Sequence, residues 1–167
     1  MKKKIQLYSN IFLINKKYKK DELYHYLDIP DVAIVVPIFN KKFLLVSQKR
    51  EAINEINYEF PCGFVDPGET PSKSAARELV EETGYKSLNK IKKLIKFYEA
   101  PARMNNTAHC YFTQKLTKIS NPEKGIKIFF YTKKEVANLI DKKKFNNGTH
   151  IAAFYKYLSI KPQKLSY

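Results

Sequence analysis

A chain of 167 residues holds one domain with a sizeable core and is too short for two comfortable ones. Its hydrophobic fraction of 44% with 14% aromatics speaks against disorder, and no apolar run approaches the roughly 20 residues a membrane span needs. The formal net charge of +15 invites a nucleic-acid reading, but nearly all the basic residues are lysines spread from Lys2 to Lys164, a pattern of compositional bias rather than of a binding groove. Such charge can still steer polyanionic small substrates toward a site.

The start, Met1-Lys2-Lys3-Lys4, is basic like a signal peptide, yet Ile5 to Asn10 alternates and no sustained apolar core or small-residue cleavage site follows, so a cytoplasmic protein is expected. Cys62 and Cys110 are too few for a disulfide framework. Residues 5–15 and 22–28 read as two strands separated by a lysine-rich turn from Asn15 to Lys20. After Pro30 and Asp31, the runs Val32 to Val36 and Phe43 to Val46 flank Asn40-Lys41-Lys42 as a buried hairpin. A loop from Glu51 to Asn57 leads to Tyr58-Glu59-Phe60 and a turn-rich segment ending at Glu69, and residues 71–83 read as a helix. Strands are expected near 91–99, 108–116 and 126–131, and helices near 133–142 and 147–159. Without regular βαβ alternation this is an α+β pattern or a mixed-sheet sandwich rather than a doubly wound sheet.

The helix at 71–83 is bounded by its own sequence. Asp66-Pro67-Gly68-Glu69 suits a type II turn, Thr70 is a good N-cap, Pro71 fits the first helical position, and Gly84 fits a left-handed C-cap. Placed on a wheel, Ala76, Leu79, Val80 and Thr83 are expected to face a sheet, with Arg77, Glu78, Glu81 and Glu82 on the other side. Like charges three and four apart destabilise a helix unless something positive sits among them. Arg77, four before Glu81, offsets part of the repulsion, and the remainder suits a hard divalent cation, Mg²⁺ or Mn²⁺. A solvated acidic face is the plain alternative. Against it, a chain with 16 acidic residues to 31 basic ones places three carboxylates within five positions, directly after a tight Gly/Pro loop. The chain's three arginines, Arg50, Arg77 and Arg103, suggest positions where a planar fork is needed among so many lysines.

Gly63, five residues, Glu69, seven residues, then Arg77-Glu78-Leu79-Val80-Glu81-Glu82-Thr83-Gly84-Tyr85 resembles the complete Nudix box, with Tyr85 where an aliphatic residue is usual. The resemblance implies an α/β/α sandwich with a mixed sheet, and hydrolysis of a nucleoside diphosphate linked to another moiety. It implies Glu78 and Glu82 as direct Mg²⁺ ligands, Glu81 at the same cluster and the backbone carbonyl of Cys62 as a further ligand, with Glu69 and Arg77 holding the loop–helix–loop in shape. In such enzymes the cations polarise phosphoryl oxygens, lower the pKa of a water and neutralise the leaving phosphate.

Outside the box, Gln48-Lys49-Arg50, Glu59-Phe60-Pro61-Cys62-Gly63 and Pro101, 16 residues after the box, resemble ADP-ribose and ADP-sugar pyrophosphatases. This implies a small-molecule nucleotide substrate, most simply ADP-ribose cleaved to AMP and ribose 5-phosphate; a GDP- or UDP-linked sugar and an RNA 5′ end are the alternatives. Residues 1–30 would be N-terminal strands that form a homodimer, and residues 31–167 the hydrolase domain. Arg50 is expected on the pyrophosphate, Glu59 on a ribose or a metal water, and Arg103 on the substrate, a surface ion pair being the alternative for Arg50 and Glu59. Glu123, in the loop Ser120 to Gly125, is expected as the general base, with Glu82 as the alternative. His109 and His150 are expected as core or hydrogen-bonded residues rather than catalysts.

Overall fold

The computed structural model describes residues 4–6, 13–19 and 22–160. The chain opens with β1 (Lys4–Gln6), β2 (Leu13–Lys19) and β3 (Glu22–Asp28), an antiparallel sheet in the order β1-β2-β3. The expected turn from Asn15 to Lys20 is corrected: β2 continues to Lys19, pairing Asn15 with Tyr26 and Lys19 with Glu22. That run contains neither glycine nor proline to break a strand, and the ladder with β3 carries it on. Lys20 and residues 7–12 of the first expected strand lie outside the described residues. The sheet is tied to the rest of the chain at Leu27, whose N–H donates to Arg103 O (2.7 Å) and whose carbonyl accepts from Asn105 N (3.2 Å).

The main sheet is built on β4 (Val32–Phe39) and β5 (Lys42–Arg50). They are joined by Asn40 and Lys41, both at positive φ (49° and 62°), the backbone a two-residue hairpin requires. The hairpin opens almost at once. β4 and β5 pair only through Ile38↔Phe43 and Phe39↔Lys42; Pro37, the next residue back, has no N–H to give, and the ladder stops there. Into the opening comes a segment expected mostly as loop and turn. It forms β6 (Glu55–Glu59), antiparallel to β5, and then β7 (Cys62–Phe64), antiparallel to β4. Between them Pro61 O accepts from Val35 N at 3.0 Å.

Helix α1 (Pro71–Thr83) is followed by β8 (Tyr85–Ser87), β9 (Lys92–Tyr98), β10 (Thr107–Thr113), β11 (Leu116–Lys118), β12 (Lys127–Tyr131), α2 (Lys133–Asp141) and α3 (Gly148–Ser159). The main sheet runs β12-β5-β4-β10-β9, with β10 parallel to β4, so it is mixed. The strand expected over 108–116 ends at Thr113; β11 leaves it to pair with β8, a short strand that sequence periodicity did not signal.

Alternation along β4 and β5 divides the core into two layers. Ala33, Val35 and Leu44 pack with Ala75 and Leu79 of α1, whereas Ile34, Val36, Phe43 and Leu45 pack with Val136 of α2 and Phe145, Ala153 and Phe154 around α3. Burial on both faces explains the unbroken apolar run Val32 to Val36. The result is the expected α/β/α sandwich. Among the described residues no helix is long and apolar enough to cross a membrane.

Gly84 closes α1 at φ 73°, its N–H donating to Val80 O at 2.8 Å. A Cβ there would lie 2.1 Å from the Ser120 carbonyl oxygen, so both the backbone conformation and the space demand glycine. Gly84→Ala is expected to cost roughly 2 kcal/mol or more, read as a lower midpoint in urea and heat denaturation; an unchanged midpoint would show that the 120–121 turn yields freely.

Candidate functional site

The loop before α1 turns at Gly68 (φ 81°), with Glu69 N donating to Asp66 O at 2.9 Å. Thr70 then caps the helix, its side chain accepting from Lys73 N. Seven residues after the cap, Arg77 spreads its guanidinium over the whole loop–helix unit. Nη1 donates to Glu78 Oε1 (2.7 Å) and Glu81 Oε2 (2.9 Å). Nη2 donates to Glu69 Oε2 (3.1 Å), Phe64 O (3.1 Å) and Ser74 Oγ (3.2 Å), with Asp66 at 3.6 Å. A lysine could not make this set, because the bonds leave a planar group in several fixed directions. Gly63 completes the fit: a Cβ there would stand 2.0 Å from Glu78 Oε1, so glycine lets the Glu78 carboxylate lie directly on the β7 backbone.

The expected helix face is corrected. The buried residues of α1 are Ser74, Ala75, Leu79, Glu82 and Thr83, so Glu82 belongs to the inward side and Ala76 and Val80 are only partly buried. Glu82 is 7% exposed. Its Oε2 accepts from Cys62 N (3.0 Å) and its Oε1 from Gln48 Nε2 (3.2 Å). Neither donor is charged, and burial pushes its carboxyl up to about 7. Burial also raises Glu78, in spite of Arg77 beside it.

Gln48 had no role assigned from sequence; its place two residues before Arg50 on β5, hence on the same face, was the available signal. Arg50 bonds Glu59 twice, Nε to Oε1 at 3.0 Å and Nη2 to Oε2. Burial pushes the Glu59 carboxyl up, but the bond from Arg50 and the charge around it hold it below the usual range. Asn57, also unassigned from sequence, donates to the same Oε1 at 3.0 Å. The next backbone N–H, of Phe60, donates to His150 Nδ1 at 2.9 Å, and the His150 ring stacks on Phe60.

Glu59, Cys62 and His150 therefore lie together, one ligand atom of each within 4.8 Å of the others. Their partners argue against a cation there: a guanidinium already faces Glu59 and a backbone N–H already occupies His150 Nδ1. His109, away from this cluster, bonds Asp31 through Nε2 at 2.8 Å.

The remaining expected residues are placed differently. Glu123 donates its backbone N–H to Glu81 O at 2.8 Å, and with Val80, Glu81, Ser120 and Asn121 it lines an open cavity of about 580 Å³ at the C-terminal end of α1. Arg103 lies 5.8 Å from the ring centroid of Tyr24, whose hydroxyl donates to Ala102 O, and lines a cavity with His25, Tyr26 and Leu27. None of its described contacts is with the carboxylates of α1.

Burial holds the His150 imidazole down at about 4, below its ordinary 6.5. As pH falls through 6.5 the unfolded chain takes up a proton that the folded one refuses, so the contribution of this group to stability falls until about pH 4. By pH 5 His150 alone costs about 2 kcal/mol, while Glu82, raised to about 7, works in the opposite direction over the same window, so the His150 contribution is read as the difference between the wild type and His150→Gln in urea unfolding at pH 7 and 5. His150→Gln, which can still accept from Phe60 N, is expected to lose that penalty and so to gain about 2 kcal/mol relative to the wild type between pH 7 and pH 5; a pH dependence identical to the wild type's would overturn this assignment.

A family model described as NUDIX domain matches residues 29–154. The ADP-ribose pyrophosphatase of Bacillus subtilis (strain 168) is 26% identical over 166 residues, which cover 95% of this chain and 87% of that protein. The ADP-sugar pyrophosphatase of Mus musculus is 41% identical over 61 residues, 34% of this chain and 28% of that protein. Among solved structures, one described as an ADP compounds hydrolase matches with a TM-score of 0.80 over 95% of this chain and 90% of that one, at 19% identity, a likeness of fold. The capped helix with its carboxylates and Arg77, the sandwich around it and the family model over residues 29–154 lead to one conclusion: this chain belongs to the Nudix hydrolase family.

Proposed function

We propose that this protein hydrolyses the pyrophosphate bond of a nucleoside diphosphate sugar with the help of Mg²⁺, and that its substrate is ADP-ribose, cleaved with water to AMP and ribose 5-phosphate. The observation that carries this reading is the convergence of Glu78, Glu81 and Glu82 on one helix with Arg50 at the strand opening beside them. The match to an ADP-ribose pyrophosphatase along nearly the whole chain supports the choice of substrate.

The residues fit a hard divalent cation. They offer carboxylate oxygens, Glu82 is buried with only neutral hydrogen-bond donors, and the Gly63 backbone leaves the room that the Glu78 carboxylate fills. Glu78 and Glu82 would hold it, with Glu81 and the Cys62 carbonyl close by. When bound, such a cation neutralises phosphate charge and acidifies a water. Arg77 keeps the Glu78 and Glu81 carboxylates apart and oriented, and Arg50 binds and orients the diphosphate. Glu82, at about 7, can hold or release a proton near neutral pH. Glu123, beside Glu81 at the end of the helix, is the general base offered by the neighbouring loop.

A homodimer through residues 1–30 is part of this proposal; it is supported by the described strands β1 to β3, which pair among themselves and meet the rest of the chain through the 102–105 loop. A sedimentation run is expected to give a dimer at micromolar concentration, and a monomer alone would remove this proposal.

Glu82→Gln is expected to lower turnover by roughly a thousandfold or more with the fold retained by circular dichroism; near-normal turnover would sink the assignment. The substrate is tested by product chromatography with Mg²⁺ and a panel of ADP-ribose, GDP-mannose, UDP-glucose and 5′-triphosphate RNA. Rapid AMP release from ADP-ribose, abolished by chelator, is the expected result. Processing of the RNA with the sugars left intact would overturn it.

A further inference from the structure

We propose that Glu59 is a positioning residue, touching neither ribose nor cation, and that together with Asn57 it fixes the Arg50 guanidinium with its unused donors facing the diphosphate. The inference rests on the reading of this site as one that binds a pyrophosphate group.

The pair Arg50–Glu59 is not a surface ion pair, because its two halves differ sharply in exposure. The Glu59 side chain is 2% exposed and that of Arg50 39%. A ligand can therefore reach the guanidinium but not the carboxylate. Glu59 is also nearly saturated: Oε1 takes Arg50 Nε–H and Asn57 Nδ2–H, and Oε2 takes Arg50 Nη2–H, which leaves one lone pair on Oε2. Arg50 is not saturated. A guanidinium carries five N–H donors, and all the described hydrogen bonds of Arg50 go to Glu59, through Nε and Nη2. Nη1 and the second Nη2 hydrogen remain for an anion, in the forked geometry that suits phosphate oxygens.

The anchor is itself anchored. Asn57 is buried, and its Oδ1 accepts from Asn146 N at 3.4 Å in the connection between α2 and α3. Next to it Tyr58 N donates to Lys144 O at 2.8 Å, so this edge of β6 is fixed along its length. The arrangement also answers an electrostatic problem. Arg50 stands close enough to Glu82 for their charges to interact, yet the hydrogen bonds described for Arg50 go to Glu59 and those of Glu82 to neutral donors. Glu59 holds Arg50 by its Nε edge, while Gln48, a neutral donor on the same strand face, takes Glu82. Glu82 is thus kept free of a direct ion pair.

The test is equilibrium titration with methylenediphosphonate, an uncleavable diphosphate mimic, in Mg²⁺ buffer. It is run on the wild type, Arg50→Lys, Glu59→Gln, the double variant and Asn57→Ala, beside kcat and KM for whichever substrate the panel identifies. Glu59→Gln is expected to weaken the mimic on the order of tenfold, as Arg50→Lys does, and the double variant to be no worse than the worse single one. KM should rise more than kcat falls. Asn57→Ala should shift affinity in the same direction by less, which keeps the test decisive if Glu59→Gln does not fold. A folded Glu59→Gln with wild-type affinity, or losses that multiply in the double variant, would overturn the proposal. So would a wild type that does not bind the mimic, even with ADP-ribose hydrolysis intact. Failure to cleave any ADP-linked sugar, with the coupling present, would remove the substrate reading and leave this one standing.

Discussion

The site depends on two strands that part company. Once β4 and β5 separate beyond Ile38 and Phe43, the sheet must be filled from elsewhere, and the segment from Glu55 to Phe64 fills it by pairing first with one and then with the other. In crossing, its backbone offers N–H groups that neither strand uses, and side chains come to meet them: Glu82 takes the one at Cys62, and His150 the one at Phe60. Buried N–H groups are rarely left unpaired, so the crossing draws in an acidic residue from one face of the sheet and an imidazole from the other. The two apolar layers keep both helices pressed against that seam.

Charge is then distributed in two separate systems. Arg77 gathers the carboxylates of the loop and the outer side of α1, whereas Arg50 is committed to Glu59. Glu82 stands between them with neutral partners only. In low-dielectric surroundings such a carboxyl favours its neutral form until positive charge arrives. Each guanidinium serves the site partly through what it does not touch, since one directed at Glu82 would occupy the place of a cation.

What could be read from the sequence follows from how local each cause is. Helix α1 was legible to the residue, because Gly68, Thr70, Pro71 and Gly84 act within a few positions of themselves. The box residues were legible because their spacing is local too. The parting of β4 and β5 was not, since a hairpin and a splayed pair share one apolar pattern and only Pro37 hints at the difference. β6, β7 and β8 are short strands made by their partners, with little periodicity of their own. Glu82 was misplaced for another reason. It follows Ala75 by seven and Leu79 by three, which puts it on the buried stripe, but its charge outweighed its spacing in the reading. Gln48 and Asn57 were missed because a neutral amide acquires a role only from the carboxylate it meets.

The arginines bear on how this chain can change. Across most of its surface the chain uses lysine, a flexible point charge that tolerates replacement wherever water reaches it. Arg77 spans four side chains and a carbonyl, Arg50 lies edge-on to a buried carboxylate, and Arg103 stands over an aromatic ring. Exchange to lysine at each would conserve charge and discard the plane. At these three positions it is the shape of the group, rather than its charge, that the surrounding atoms use.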